Sequence, residues 1–169
     1  MNKNLALTGM MGAGKSTIGR TLSKKLLMQF SDIDKIIENK LEMSIHKIFE
    51  EKGEPYFRKL EEKITIEEVK KKNIVISLGG GAFMNPRIRK NILLHCKSFW
   101  LDLSIELIEK RLTKSNKRPL LNKRDIKTTL EKIYKERKRT YVVANHRINC
   151  DQLSTNLITS KIIKLYADS

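Results

Sequence analysis

The sequence predicts an α/β fold in which a parallel sheet is covered by helices on both faces. Short apolar runs alternate along the chain with segments of helical periodicity, which is the order of elements in such folds. Glycine clusters follow two of these runs, so backbone groups are expected to approach a ligand closely there. The 169 residues are enough for one domain with its own core.

Five apolar runs are the candidate strands. The first lies at 5–7, and Ile18, Leu22 and Leu26, which recur every fourth residue, indicate the helix that follows it. The later strands are predicted at 29–34, 73–78, 98–101 and 147–149. The other helices are predicted at 44–52, at 54–72, from 86, from 105 and at 157–165.

Turn and cap residues mark the ends of several of these helices. Gly53 is the predicted stop of the helix at 44–52. Asn85 and Pro86 suit the cap and the first turn of another helix, and Ser104 suits a further cap.

The composition is typical of a globular chain with a strong basic bias. Hydrophobic residues make up 40% and charged residues 32% of the chain. No apolar run approaches the roughly 20 residues that a bilayer span needs. A signal-peptide pattern is missing as well, so a cytoplasmic protein is expected. Cys96 and Cys150 lack metal-site spacing and are too few for a disulfide framework, so both thiols are expected to be reduced.

The net charge of +16 raises the question of a nucleic-acid partner. Lysines outnumber arginines 25 to 10 and aromatic residues are only 6%, so stacking platforms for bases are scarce. The excess is concentrated at 110–139, which contains 13 basic and 3 acidic residues. A solvated lysine-rich surface and a site for small anions are the alternatives. With the motifs below, the excess is interpreted as a general lysine bias around a site for small anions.

The first glycine cluster is a complete phosphate-binding motif. Gly9–Thr17 matches G-x-x-x-x-G-K-[ST], and it lies between a predicted strand and a predicted helix. Its backbone N–H groups would cradle phosphate oxygens. Lys15 would neutralise the β- and γ-phosphates, and the Ser16 hydroxyl would bind Mg²⁺. The motif therefore predicts a nucleoside triphosphate site.

Two carboxylates, Asp32 and Asp34, end the second candidate strand. In an extended segment both would point to the same side. One would then hold Mg²⁺ or its waters, while the other would accept a hydroxyl proton. The alternative is an Asx turn or an N-cap for a helix at 35–39, and the pair alone leaves both open.

Two further features indicate a second ligand. Arg58 and Glu61 lie three residues apart on a predicted helix, as a surface pair or as an arginine held by glutamate for a substrate carboxylate. Gly79, Gly80 and Gly81 follow the best candidate for a central strand. Three glycines there suggest backbone N–H groups that face a ligand.

Together, these segments resemble the shikimate kinase family. The resemblance lies in Gly9–Thr17, Phe30–Asp34, Gly53–Glu61, Gly79–Gly81 and Arg118–Leu121. It implies a P-loop kinase fold, a three-layer α/β/α sandwich with a five-stranded parallel sheet. That fold would form one kinase domain over 1–169, with a substrate-binding subdomain at about 33–61 and a mobile lid at about 112–124.

The resemblance also implies a reaction, in which ATP and shikimate give shikimate 3-phosphate and ADP on the pathway to chorismate and the aromatic amino acids. Asp34 would bind the substrate hydroxyls and act as the base for the attacking 3-hydroxyl. Arg58 and Arg137 would clamp the shikimate carboxylate. Gly80 and Gly81 would donate backbone N–H groups to a substrate hydroxyl.

On the nucleotide side, the resemblance implies that ATP is bound by Gly12, Ala13, Gly14, Lys15, Ser16, Thr17, Arg111 and Arg118. Lys15 and Arg118 would join Asp34 as the catalytic residues, with Arg118 reaching the triphosphate from the lid. Ser16 and Asp32 would hold Mg²⁺, Asp32 through a water molecule.

Arg111 would lie against adenine, and the alternative is a plain position on a helix surface. Phe49 and Phe57 would line the pocket. The family often has Thr where this chain has Ile33. Because Ile33 is predicted to point away from the site, little effect is expected. The loop after Cys150 carries no strong motif for adenine.

Two other functions stay open from the sequence. One is a different small-molecule kinase, acting on gluconate or a nucleoside monophosphate, and the other is a nucleic-acid-stimulated ATPase. The favoured hypothesis is a monomeric enzyme with ATP and shikimate as substrates and Mg²⁺ as cofactor, without a nucleic-acid or membrane partner.

Overall fold

The computed structural model of the chain describes residues 3–114 and 126–168. Five strands form one parallel sheet in the order β2-β3-β1-β4-β5. The strands are β1 Asn4–Thr8, β2 Gln29–Asp32, β3 Ile74–Ser77, β4 Cys96–Asp102 and β5 His146–Asn149. The helices are α1 Lys15–Leu26, α2 Ile33–Leu41, α3 Ile45–Val69, α4 Pro86–His95, α5 Ile105–Lys114, α6 Ile126–Tyr141 and α7 Thr155–Ala167, with a 3₁₀ turn at Ala82–Met84.

The three central strands are covered on both faces. Every residue of β1 and of β3 is buried, and β4 is almost as fully enclosed. Because successive side chains in a strand point to opposite faces, this burial requires helices on each side of the sheet. The predicted α/β/α architecture with a five-stranded parallel sheet is confirmed.

The strand register brings two loops of functional interest to one edge of the sheet. Leu7 of β1 and Asp32 of β2 both lie level with Ser77 of β3. All strands are parallel, so the glycine segments after β1 and β3 emerge side by side with the end of β2. This carboxyl edge is where ligands bind in open α/β sheets.

Helix α1 packs closely on the sheet because of one glycine. A Cβ on Gly19 would come within 2.5 Å of the Phe30 ring, so only glycine allows this approach. Ile18 and Leu22 are buried on the same face. The helix that follows the phosphate-binding motif is therefore held firmly against its own sheet.

The expectation of an extended segment at Asp32–Asp34 was wrong. Strand β2 ends at Asp32, and Asp34 lies in the first turn of α2, which begins at Ile33. Asp32 is the N-cap, since its carboxylate accepts a hydrogen bond from the Lys35 amide at 3.3 Å. The N-cap alternative therefore applies, and the two carboxylates do not lie together on one face of a strand.

The predicted helix break at Gly53 and the predicted helix start at Asn85 are confirmed, although the end of α3 differs by a few residues. Gly53 interrupts α3 with non-helical angles of φ 80° and ψ 162°, and the second half of α3 ends at Val69 rather than near 72. Asn85 caps α4 by accepting hydrogen bonds from two backbone amides. The 3₁₀ turn before it was not predicted.

Part of the predicted lid lies outside the described residues. Of the segment at about 112–124, only 112–114 are described, and Arg118 is not among them. In the described ranges, no helix is long and apolar enough to cross a membrane. Cys96 and Cys150 are buried free thiols, as expected.

Candidate active site

A cavity of about 480 Å³ opens at the carboxyl edge of the sheet. The phosphate-binding motif Gly9–Thr17, called the P-loop below, forms one part of its wall. The ends of β2 and β3 form another part. Its lining residues include Gly12, Ala13, Gly14, Lys15, Ser16, Thr17, Asp32, Asp34, Ser77, Gly80 and Arg111. The cavity therefore unites most residues that the sequence assigned to ATP, to the metal and to the reacting hydroxyl.

The P-loop has the backbone shape that its glycines predict. Gly12 and Gly14 have φ values of 75° and 94°, in the left-handed region that favours glycine. Gly14 is also the N-cap of α1, so the amino end of that helix faces the cavity. Positive partial charge at this end attracts phosphate.

The Lys15 side chain lies against the P-loop. It is the first residue of α1 and is buried. Its Nζ donates to the Gly9 carbonyl at 2.9 Å and to the Met10 carbonyl at 2.8 Å. These bonds hold the ammonium group at the cavity wall.

Arg111 reaches the P-loop from α5. Its Nη1 donates to the Gly12 carbonyl at 2.9 Å and lies 3.6 Å from the position a Cβ would take on Gly14. Arg111 is exposed on its helix, but this bond and its place in the cavity wall favour the functional alternative over a plain surface position. Its contact with adenine stays a prediction.

A buried ion pair supports the arginine that was predicted to bind a carboxylate. Arg58 Nη1 donates to Glu61 Oε2 at 2.7 Å, and only 1% of the Glu61 side chain is exposed. Arg58 Nε also donates to the more exposed Glu54 at 3.0 Å. The surface-pair alternative does not apply, because Glu61 is enclosed.

Burial and charge act against each other in this pair. Burial raises the pKa of Glu61, and the positive charge of Arg58 opposes that rise only in part. Burial alone would lower the pKa of Arg58, but the carboxylates of Glu61 and Glu54 outweigh it and raise that pKa. The guanidinium therefore stays charged and is fixed in direction.

The three glycines after β3 lie among the predicted substrate-binding side chains. A Cβ on Gly79 would come within 2.5 Å of Glu61 Oε1 and 2.8 Å of Asp34 Oδ1. On Gly81 it would come within 2.8 Å of the Arg58 guanidinium. These contacts leave no space for side chains on Gly79 and Gly81. The approach of their backbone N–H groups to a ligand stays a prediction.

Arg137 joins the same group from α6. Its Nη1 lies 3.5 Å from the position a Cβ would take on Gly80, which also lies near the P-loop amide of Met11. Arg58, Gly81 and Arg137 do not line the 480 Å³ cavity. They are adjacent to it through Gly80, which does line it.

The two phenylalanines predicted to line the pocket form a cluster beside Arg58. Their ring centroids lie 4.9 Å apart, and the Arg58 guanidinium lies 5.2 Å from the centre of the Phe57 ring. Phe57 is buried and Phe49 is partly buried, but neither lines the main cavity. Their contact with substrate stays a prediction.

Sequence reasoning missed several residues of the cavity wall. Ser77 lies at the end of β3, level with Asp32. Leu153, just before α7, and Thr155 and Ile158, in its first turns, close another part of the wall. Ser77 was detectable from its place at the end of a buried strand just before the glycines, whereas Leu153, Thr155 and Ile158 belong to no motif.

Comparison with known proteins identifies the family of the chain. A family model described as shikimate kinase matches residues 11–167. A shikimate kinase of Sulfurihydrogenibium sp. is 43% identical over 164 residues, which cover 95% of this chain and 96% of that protein. The shikimate kinase of Bacillus subtilis is 39% identical over 166 residues, or 96% of this chain and 88% of the relative.

Solved structures show the same likeness. Shikimate kinase from Acinetobacter baumannii in complex with shikimate has a TM-score of 0.94 and 32% identity, covering 99% of this chain and 94% of that one. Deoxyadenosine kinase from M. mycoides, with a TM-score of 0.64, 17% identity and coverage of 98% and 100%, shares the fold alone. From the family model and the coverage of these relatives, the chain belongs to the shikimate kinase family.

Proposed function

We propose that this chain transfers the γ-phosphoryl group of ATP to the 3-hydroxyl of shikimate, giving shikimate 3-phosphate and ADP. The observation that carries the proposal is the group of Arg58, Arg137 and Asp34 around three glycines, directly beside a P-loop. Phosphoryl transfer depends mainly on positioning and on stabilising charge, and this arrangement supplies both.

The nucleotide half of the site would hold the triphosphate through backbone N–H groups and through positively charged side chains. N–H groups of Gly12–Thr17 would surround the β-phosphate, at the amino end of α1. Lys15 would exchange its bonds to the loop carbonyls for bonds to phosphate oxygens. Arg111 would lie near the adenine, and Arg118, outside the described residues, would reach the transferring phosphoryl group.

Magnesium fits the donor atoms that line the cavity. The Ser16 hydroxyl and the Asp32 carboxylate are oxygen donors of the kind that Mg²⁺ prefers. Among the described residues, no group of three or more His, Cys, Asp or Glu could hold a metal by itself. Few protein ligands are typical of Mg²⁺ bound together with phosphate and water, and the ion would neutralise phosphate charge.

The substrate half would orient shikimate for attack. Asp34 lies between the P-loop side of the cavity and Gly79, so its carboxylate would accept the proton of the 3-hydroxyl. Arg58 and Arg137 would bind the carboxylate of shikimate, and the N–H groups of Gly80 and Gly81 would bind a hydroxyl. A substrate without the carboxylate would leave these cations unpaired, which makes them a specificity device.

The coarser organisation is proposed with the same reaction. The substrate-binding subdomain at about 33–61 and the lid at about 112–124 would close over the ligands and exclude water. The chain would act as a monomer in the cytoplasm.

A coupled assay of ADP release tests the proposal. Shikimate, gluconate and the nucleoside monophosphates are supplied separately with ATP and Mg²⁺, and DNA or RNA is added in a parallel series. We expect release that depends on shikimate and is unaffected by nucleic acid. ADP release without any dependence on shikimate would overturn the proposal, and stimulation by DNA or RNA would then favour the ATPase alternative.

A further inference from the structure

Tyr141 lies behind the glycine segment that follows β3, Gly79–Gly81, and has no part in the function proposed above. It is the last residue of α6, its side chain is completely buried, and its ring stacks on Trp100 at 5.8 Å between centroids. Its hydroxyl donates a hydrogen bond of 2.5 Å to the carbonyl of Gly80. A side chain from α6 thus contacts the backbone that would bind substrate.

This bond completes the hydrogen bonding of the glycine carbonyls. The Gly79 carbonyl accepts from the Ala82 amide at 3.1 Å, and the Gly81 carbonyl accepts from the Met84 amide at 3.0 Å. The Gly80 carbonyl accepts from Tyr141. Of these three bonds, only the one to Gly80 comes from a side chain distant in sequence.

The direction of the Gly80 carbonyl determines the direction of a neighbouring donor. The Gly80 carbonyl and the Gly81 N–H belong to one planar peptide unit and point in opposite directions. Glycine has the greatest backbone freedom of any residue, so an outside bond is needed to fix this plane. By holding the carbonyl, Tyr141 orients the Gly81 N–H as well.

The predicted carboxylate arginine lies beside the same peptide. Arg137 lies one helical turn before Tyr141 on α6, and its Nη1 lies 3.5 Å from the position a Cβ would take on Gly80, whose carbonyl accepts from Tyr141. Burial raises the pKa of Tyr141, and Arg137 opposes that rise only in part. The phenol therefore keeps its proton and remains a donor to Gly80.

From these contacts we infer that Tyr141 is a positioning residue for shikimate: its hydroxyl ties the Gly80–Gly81 peptide to Arg137 and sets both for the substrate. The inference rests on the proposed function. Gly80 and Gly81 would bind a substrate hydroxyl, while Arg137 would bind the carboxylate. One phenolic oxygen thus fixes the spacing between two recognition points on the same ligand.

The variant Tyr141→Phe isolates the hydroxyl, because it keeps the ring that stacks on Trp100. The matched control is Tyr134→Phe on the same helix. The Tyr134 hydroxyl donates to Asp102 Oδ1 at 3.0 Å, so the control removes a comparable phenol bond outside the glycine segment. Both variants are compared with wild type by steady-state kinetics and by calorimetric titration with shikimate.

We expect Tyr141→Phe to raise the KM and the Kd for shikimate about tenfold, the usual size for loss of one well-placed hydrogen bond. The KM for ATP should change less than twofold, and Tyr134→Phe should change neither constant. Because KM and Kd do not depend on the folded fraction, reduced stability alone would not produce this pattern. Unchanged shikimate constants in Tyr141→Phe, or an equal rise in Tyr134→Phe, would overturn the inference.

A double-variant cycle tests the link to Arg137. If Tyr141 acts partly through that guanidinium, removing the hydroxyl should have a smaller effect on the shikimate Kd in an Arg137→Ala background. Equal effects of Tyr141→Phe in wild type and in Arg137→Ala would overturn the link between Tyr141 and Arg137. Failure of wild type to turn over shikimate would instead overturn the proposed function, so the two failures are distinct.

Discussion

The two halves of the active site are built in different ways. The core of the proposed nucleotide half is one continuous segment, Gly9–Thr17, whose own backbone would bind the phosphates. The proposed substrate half would be assembled from distant elements, with Asp34 on α2, Arg58 on α3, Gly79–Gly81 after β3 and Arg137 on α6. The first half depends on local backbone shape, whereas the second depends on how three helices pack around one turn.

This difference has a consequence for mutations. A change in the nucleotide half should affect the chemical step directly, because its cations and N–H groups would meet the transferring phosphoryl group. A change in the substrate half should first affect binding, because its arginines would meet a carboxylate remote from that group. The following variants test this division.

The largest effect is expected for Lys15→Ala. Removing the ammonium group takes away a charge beside the triphosphate, and loss of one such group typically lowers kcat about a hundredfold to a thousandfold. The exposed Lys24 on the same helix provides the control, and Lys24→Ala should leave kcat unchanged. A kcat for Lys15→Ala within tenfold of wild type would contradict the assignment.

Arg58→Ala should chiefly weaken the use of shikimate. Loss of hydrogen bonds to a charged group corresponds to a rise in the shikimate KM of about tenfold to a hundredfold, with ATP binding nearly intact. The variant also leaves Glu61 buried without its cation, which typically costs about 3 kcal/mol in the free energy of unfolding.

The control for Arg58→Ala is Arg87→Ala. Arg87 also pairs with a glutamate of α3, Glu62, at 2.7 Å, but 75% of its side chain is exposed. An exposed pair contributes little, so the control should change neither the shikimate KM nor, by more than about 1 kcal/mol, the free energy of unfolding. Lost ATP binding in Arg58→Ala would contradict the separation of the two halves.

Glu61→Gln should alter the pH dependence of stability and raise the shikimate KM less than Arg58→Ala does. Burial raises the folded-state pKa of Glu61 above its ordinary value of 4.5. The folded state therefore binds this proton more tightly, and the resulting stabilisation, present below pH 4.5, is lost as the pH rises through the raised pKa. Glutamine does not titrate in this range, so the variant lacks this loss.

Urea unfolding between pH 4 and pH 8 measures the difference, in steps of about one unit. The free energy of unfolding of Glu61→Gln minus that of wild type should increase with pH, by about 1.4 kcal/mol for each unit by which the pKa is raised. The control is Glu54→Gln, which removes the exposed partner of the same arginine. A flat or falling difference for Glu61→Gln would contradict the raised pKa.

The same division explains what the sequence could predict. The fold followed from apolar runs and glycines, and the P-loop followed from one local motif with its own backbone geometry. The Gly53 break and the Asn85 cap were also readable, because each depends on a few neighbouring residues. Burial of Glu61 was not readable, because it depends on packing around Gly79.

The errors concern features that tertiary structure decides. Asp34 lies in the first turn of α2, with Asp32 as the N-cap, and the spacing of the two carboxylates suited a strand equally well. A carboxylate-binding role for Arg58 was one reading of its spacing to Glu61, whereas the role of Arg137, 79 positions away in sequence, was reached only through family resemblance. The contact of Tyr141 with Gly80 carries no sequence signal, because any buried tyrosine has the same local pattern.

The smallest effect on activity is expected for Ile33→Thr, between the two carboxylates. Ile33 is completely buried in the core and does not line the cavity, although it is adjacent in sequence to Asp32 and Asp34. Threonine replaces apolar volume with a hydroxyl, which should lower the free energy of unfolding by about 1–3 kcal/mol. The folded enzyme should keep its kcat and both KM values within about twofold, since the helix cap at Asp32 does not use this side chain.

Ile33→Val separates volume from polarity in this test. It removes one methylene without adding a hydroxyl, so its cost should be smaller, about 1 kcal/mol, with the same unchanged kinetics. Thermal unfolding together with the kinetics of each purified variant gives both quantities. A rise in the shikimate KM for Ile33→Thr but not for Ile33→Val would contradict this expectation. It would show that the side chain at position 33 affects shikimate binding, so that this residue belongs to the substrate half and not only to the core.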